Sequence, residues 1–238
     1  MAADMAVKAR PQAPAPVAVY NWTGCYIGGN VGVARARIRE TSVSVAGEAF
    51  QSDFGRSSDS DLIGGGQIGC DYQFANSFVF GVQAMFDFTD LNSRHTLPAF
   101  PTYFDETKTK DVFTVTGRLG YLFTPAVLAY VKGGGAWARV DTTRFVTVPA
   151  PTIVSEFARD QNRQGWTIGG GVEWMIAPGW SVFGEYNFMD FGRERVQFVT
   201  GPLAFGIPSV VSTRHQIQQA LFGVNYKFNS AGPVAAQR

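Results

Sequence analysis

Residues 164–192 read QGWTIGGGVEWMIAPGWSVFGEYNFMDFG, and their alternation decides the fold. Trp166, Ile168, Gly170, Val172, Trp174 and Ile176 form one set; Thr167, Gly169, Gly171, Glu173 and Met175 form the other. A period of two means a strand with one apolar face and one small or polar face. Pro178-Gly179 punctuates the run as a tight turn. Beyond it Trp180, Val182, Gly184, Tyr186 and Phe188 alternate with Ser181, Phe183, Glu185, Asn187 and Met189. Both strands of this hairpin are longer than the roughly five or six residues usual in a globular sheet. They match a tilted transmembrane strand, which needs about 9–11. The polar set holds carboxylates among glycines, and the other set is aromatic and uncharged. That is a barrel with apolar side chains facing lipid and polar ones packed within. A soluble, lipocalin-like barrel would bury the aromatics and expose the glutamates; recurrence of the same pattern along the chain favours the membrane form.

The totals agree. Charged residues are 16% of the 238, and there are 27 glycines, an unusual balance for a water-facing domain and an expected one where much of the exterior meets lipid. No run approaches the ~18 apolar residues of a transmembrane helix. A net charge of +1 excludes nucleic acid as a partner, since that requires a basic face. Cys25 and Cys70 are the two cysteines, too few for a disulfide framework or a zinc site. No signal peptide is visible at the start, which lacks an apolar core segment; a mature chain with an added Met is expected.

Residues 1–19, rich in proline and alanine, read as a flexible leader. Eight strands follow over 20–228, and 229–238 form a short tail. Short turns at 76–77, 124–125 and 178–179 alternate with long polar stretches at 38–60, 91–110, 142–163 and 193–213, read as loops. Short periplasmic turns, long outer loops and an even strand number mark outer-membrane barrels. Both termini are then periplasmic and the long loops extracellular. Aromatics at the strand ends form interfacial girdles: Trp22, Phe74, Phe78, Trp180 and Tyr226 on the turn side, Phe88, Trp137, Trp166 and Phe188 on the loop side.

Inward alternation collects six charges, Asp87, Arg118, Lys132, Glu173, Glu185 and Lys227. An eight-stranded barrel is just wide enough to be filled by side chains, and buried charges must pair. A salt-bridged plug is the expectation, with a narrow gated pore for small solutes as the alternative. The glycine triplets at 133–135 and 169–171 permit tight curling; they are not phosphate loops, because no helix follows. His215 is expected at the outer rim beside Arg214, Thr213 and Ser212, but without a carboxylate in register it makes no catalytic set. No enzyme and no cofactor are expected. His95, in a long polar stretch, is the other histidine that could ligate haemin.

Cys25 and Cys70 both point outward on neighbouring antiparallel strands. Direct opposition would allow a disulfide in the oxidising periplasm. A two-residue stagger would leave two unpaired small hydrophobes, which is the expectation.

The segments YNWTGCYIGGNVG (20–32), GGGQIGCDYQFANSFVFGVQAMFDFTD (64–90), VTGRLGYLFTPAVLAYVKGGGAWA (115–138), 165–192 and HQIQQALFGVNYKF (215–228) resemble the strands of the small porin-like outer-membrane proteins of alphaproteobacteria. These are often called outer-membrane immunogenic proteins. The resemblance covers 20–228 and leaves out the long polar stretches. It implies an all-β, eight-stranded antiparallel up-and-down barrel like the OmpA membrane domain. It also implies an envelope-structural and surface-antigen role, with outer-membrane lipid, lipopolysaccharide and the barrel-insertion machinery as partners. Some relatives bind haemin. The family pattern ends at the strand-eight Phe; here NSAGPVAAQR follows Phe228.

Overall fold

In the computed structural model, residues 20–45, 48–74, 77–97, 100–146, 156–198 and 209–228 are described. They form eight strands: β1 Gly24–Val45, β2 Glu48–Gln73, β3 Phe78–Leu97, β4 Phe100–Thr124, β5 Val127–Val146, β6 Glu156–Ala177, β7 Trp180–Phe198 and β8 Ser209–Lys227. Each pairs antiparallel with its sequence neighbours, and β1 closes on β8 to make a barrel. Closure removes the sheet edges, so the backbone of the wall is hydrogen-bonded strand to strand, as a bilayer demands.

The alternation holds around the wall. Val131, Ile168, Val172, Phe80 and Leu119 are half or more exposed on the outside. Glu173, Arg118, Leu128 and Gln219 are buried within. At one end the chain turns tightly: at Ser77, at 124–127 and at 178–179, where Gly179 takes φ 79°. We refer to this as the turn end and to the opposite as the far end. Inside, Gly32 and Gly134 sit where a Cβ would press into the carbonyls of Ala220 and Val115 on the adjacent strands. A larger residue there would force the wall apart.

The strand bounds correct the reading of the four long polar stretches. They are not free loops over most of their length. Pairing of β1 with β2 continues to Val45↔Glu48, of β3 with β4 to Leu97↔Phe100, of β5 with β6 to Arg144↔Glu156 and of β7 with β8 to Phe198↔Ser209. Hairpins that project beyond a bilayer keep their ladders but need no apolar face. The period-two signal therefore stops where lipid stops, while the strands do not. The leader and the tail lie outside the described residues.

A second correction concerns the start of strand one. β1 begins at Gly24, whose φ of 149° turns residues 20–23 beneath the barrel mouth. Trp22 therefore does not belong to the girdle. It is fully buried; its Nε1 donates to the Pro125 carbonyl at 3.0 Å and its amide to Gln73 Oε1 at 3.0 Å.

Candidate functional site: the barrel lumen

Inward positions of all eight strands meet in the lumen, and they sort into layers. At the turn end Trp22, Val79, Leu122, Leu128 and Met175 form an apolar cap. Above it lies a polar layer centred on Arg118. The Arg118 Nε donates to Asp71 Oδ1 at 2.7 Å, and its two terminal nitrogens donate to Asp71 Oδ2 and, at 3.0 Å, to Glu173 Oε2. Tyr26 and Tyr130 cover the guanidinium, their ring centres 4.9 and 5.1 Å away. A planar cation suits a site that offers two carboxylates and two ring faces. Lys227 binds the same Asp71 and lies over the Trp22 and Tyr26 rings.

Glu185 anchors the other half of the layer. It accepts from Lys132 Nζ at 2.6 Å, Tyr130 Oη at 2.7 Å and Asn187 Nδ2 at 2.8 Å. Amides bridge the two halves. Lys132 donates to Gln83 at 2.9 Å, Gln83 to Gln67 at 2.9 Å, Gln67 to Asn225 at 2.6 Å and Asn225 to Glu173 at 3.0 Å. Ser181 completes Glu173 at 2.5 Å. The network thus spans the lumen, with Arg118, Lys132 and Lys227 matched by Asp71, Glu173 and Glu185. Each charge has an opposite partner, and Lys132, Glu173 and Glu185 have further hydrogen bonds to neutral side chains, the condition under which buried ions are tolerated.

Beyond the polar layer a larger apolar cluster fills the barrel toward the far end. It includes Ile63, Met85, Val112, Val140, Met189, Phe191, Ile217 and Leu221. The ionic layer is therefore flanked by apolar clusters on both sides, with buried Asn30, Asp87, Thr114, Thr167, His215 and Gln219 interspersed toward the far end.

Five of the six charges read from alternation, Arg118, Lys132, Glu173, Glu185 and Lys227, share this network. Asp87 stands apart, nearer the far end, where it accepts from Asn30 at 2.9 Å. Asp71, which is not among those six, is also buried in the lumen. It is the shared partner of Arg118 and Lys227. The two apolar layers were also missed. Their signal was present in the same alternate positions, but apolar inward residues look like noise when the inward face is expected to be polar. His215 is not at the rim: it is buried in the lumen, edge-on to Phe191 with centroids 5.8 Å apart. The side chain of His95 lies outside the described residues.

On the outside, Phe74, Phe78, Trp180 and Tyr226 ring the turn end, with Phe78 against Tyr121 at 5.3 Å and Trp180 against Tyr226 at 5.0 Å. Trp137 and Trp166 lie toward the far end, paired with Phe113 and Phe188 at 5.7 Å each. Cys25 and Cys70 are direct partners across β1 and β2 and form a disulfide, their Cα atoms 3.9 Å apart. This overturns the expectation of free thiols: the register has no stagger, so the two outward side chains meet.

Residues 2–228 match the family model described as outer membrane protein beta-barrel domain. The chain is 30% identical over 235 residues to the 31 kDa outer-membrane immunogenic protein of Brucella melitensis biotype 1, covering 96% of this chain and 93% of that one. The Brucella suis biovar 1 protein of the same name matches to the same extent. Among solved structures, the outer membrane protein OprG from Pseudomonas aeruginosa superposes with a TM-score of 0.54 at 16% identity, over 88% of this chain and 99% of that chain. At that identity the likeness is one of fold. With a closed antiparallel wall, an apolar exterior, a polar lumen and a family match over nearly its whole length, the chain belongs to the outer-membrane β-barrel family.

Proposed function

We propose that this protein is a sealed outer-membrane barrel with a structural and surface-antigen role, its turn end and both termini in the periplasm and its far-end hairpins outside the cell. The observation that carries the reading is the lumen: a charge-balanced, fully buried layer lies between two apolar clusters, so the barrel interior is filled with side chains. Water and ions would have to pass Trp22, Leu128 and Met175 at the turn end and buried side chains, apolar and polar, toward the far end. The names of the Brucella relatives support the surface-antigen role. No catalytic activity is proposed, since buried His215 presents nothing to a substrate.

Planar-bilayer recording tests the seal. The expected result is no stable unitary conductance at moderate voltage. Large, reproducible steps would make this a diffusion porin and the lumen network a gate. Membrane residence is tested separately: the protein should fractionate with the outer membrane, and its unheated form should migrate differently on a gel from the boiled form.

A haemin receptor is the competing role. Absorption titration is expected to show no His95-dependent haemin complex; tight binding abolished by His95→Ala would replace the structural role with a receptor one.

A further inference from the structure

The ionic layer is balanced without Asp87: Arg118, Lys132 and Lys227 are matched by Asp71, Glu173 and Glu185. Asp87 is a further carboxylate with no solvent exposure. Its register partner on β2 is Gly65, which also stands opposite Asn30 of β1. With no side chain at Gly65, Asn30 reaches across it and donates from Nδ2 to Asp87 Oδ1 at 2.9 Å. The second oxygen, Oδ2, has no hydrogen-bond partner among the described residues. The charges within reach of Asp87 are Lys132 and Glu185, and these are paired with each other at 2.6 Å. Arg163, the fourth buried cation among the described residues, lies on β6 toward the far end. There its charge reaches His215, and it has an interaction of its own. Asp87 is thus an extra negative charge inside the barrel.

The neighbours of Asp87 offer oxygen. Thr114 is its diagonal inward neighbour across β3 and β4, and Thr116 is the next inward residue on β4; diagonal neighbours stand about 7–8 Å apart. Both hydroxyls are buried and unbonded, as is Asn30 Oδ1. The Asn30 amide is fixed in orientation, because its Nδ2 is committed to Asp87, so the atom left over is the oxygen. Gln219, on β8 beside β1, is fully buried with both amide atoms unbonded. Water satisfies amides and hydroxyls, but it does not cancel the charge of Asp87. Neutral oxygens around one carboxylate are the donor set of a hard cation. One carboxylate matches one positive charge, whereas a divalent ion would leave an excess charge buried in the lumen.

We propose that Asp87 Oδ2, Asn30 Oδ1 and the Thr114 and Thr116 hydroxyls hold one alkali-metal cation inside the barrel, with Gln219 supplying a further oxygen. The cation neutralises the one carboxylate that the ionic layer leaves over. It also ties β1, β3, β4 and β8 together at a level where Gly32, Gly65 and Gly134 supply no inward side chains. The site goes beyond the sealed-barrel reading and does not rest on it: ion binding is read from stability, and the seal from conductance.

The full chain is refolded in zwitterionic detergent and unfolded in urea at constant pH and ionic strength, with sodium or potassium chloride replaced stepwise by tetramethylammonium chloride. Tetramethylammonium has the same charge but gives oxygen ligands no bare ion to hold. Heat-modifiable migration on a gel reports unfolding and shows that each variant starts folded. Sodium or potassium should stabilise the wild type, each tenfold rise above the dissociation constant raising the folding equilibrium constant about tenfold. D87N should lose that response. In tetramethylammonium alone it should be at least as stable as wild type, because it no longer buries an unmatched charge. T114V/T116V keeps the charge and the side-chain shape and loses two hydroxyls, so it should need about tenfold more of the cation for the same effect. D111N, on the outer face beside Arg139, should respond as wild type does. A wild type indifferent to cation identity would overturn the site and leave water or a proton at Asp87. So would a D87N that keeps the response, a T114V/T116V that responds at the wild-type concentration, or stabilisation by calcium chloride in place of both alkali chlorides.

Discussion

Replacing Arg118 by methionine should destabilise the folded barrel by about 3–5 kcal/mol, measured as the shift in urea midpoint in lipid vesicles with gel migration as the readout. Arg118 is the partner of two carboxylates, Asp71 and Glu173, whose side chains have no solvent exposure. The volume of methionine limits the cavity, so the loss reports on charge. Without the guanidinium, Asp71 keeps Lys227, but Glu173 is left with Ser181 and Asn225 alone. The double variant R118M/E173Q removes one cation and one anion and leaves Asp71–Lys227 and Lys132–Glu185 paired. It should recover most of the loss, because a neutral pair replacing a buried ion pair costs little. A single variant within about 1 kcal/mol of wild type would mean that water reaches the layer, and the sealed-lumen reading would fall with it.

Thiol counting on the denatured, unreduced protein should find none, and C25S/C70S should lower stability by about 4 kcal/mol. That figure follows from closing a loop between residues 45 apart in sequence, where the bridge stabilises chiefly by restricting the unfolded chain. The bond lies on the outer face, so its removal leaves no cavity in the lumen. The loss should therefore appear in equilibrium unfolding and leave the conductance behaviour unchanged. Two reactive thiols in the unreduced protein would return Cys25 and Cys70 to the role of small lipid-facing hydrophobes.

Strand number, antiparallel order and the direction in which the side chains of the wall point were legible in the chain itself. The physical reason is local. In a strand the side-chain direction flips at every residue, and a bilayer makes the outward set apolar regardless of what lies across the barrel. So Trp166, Ile168 and Val172 could be assigned to lipid, and Glu173 and Glu185 to the lumen, without knowing any neighbour. Three things were decided only by tertiary structure. The first is where the strands stop: beyond the lipid the apolar period disappears, while the backbone ladder continues to Val45 and Glu48.

The second is register. Whether Cys25 meets Cys70 depends on a one- or two-residue offset between strands joined through a long hairpin, and no local pattern records that offset. The third is partnership within the lumen. Asp71, Arg118 and Lys227 lie on β2, β4 and β8, far apart in sequence and on non-adjacent strands, and their pairing follows from the width and curl of the closed wall. The same closure draws Trp22 under the turn end, where an aromatic that reads as a membrane anchor becomes the floor of the lumen. Alternation sets which face a residue is on; only the closed barrel sets what it meets there.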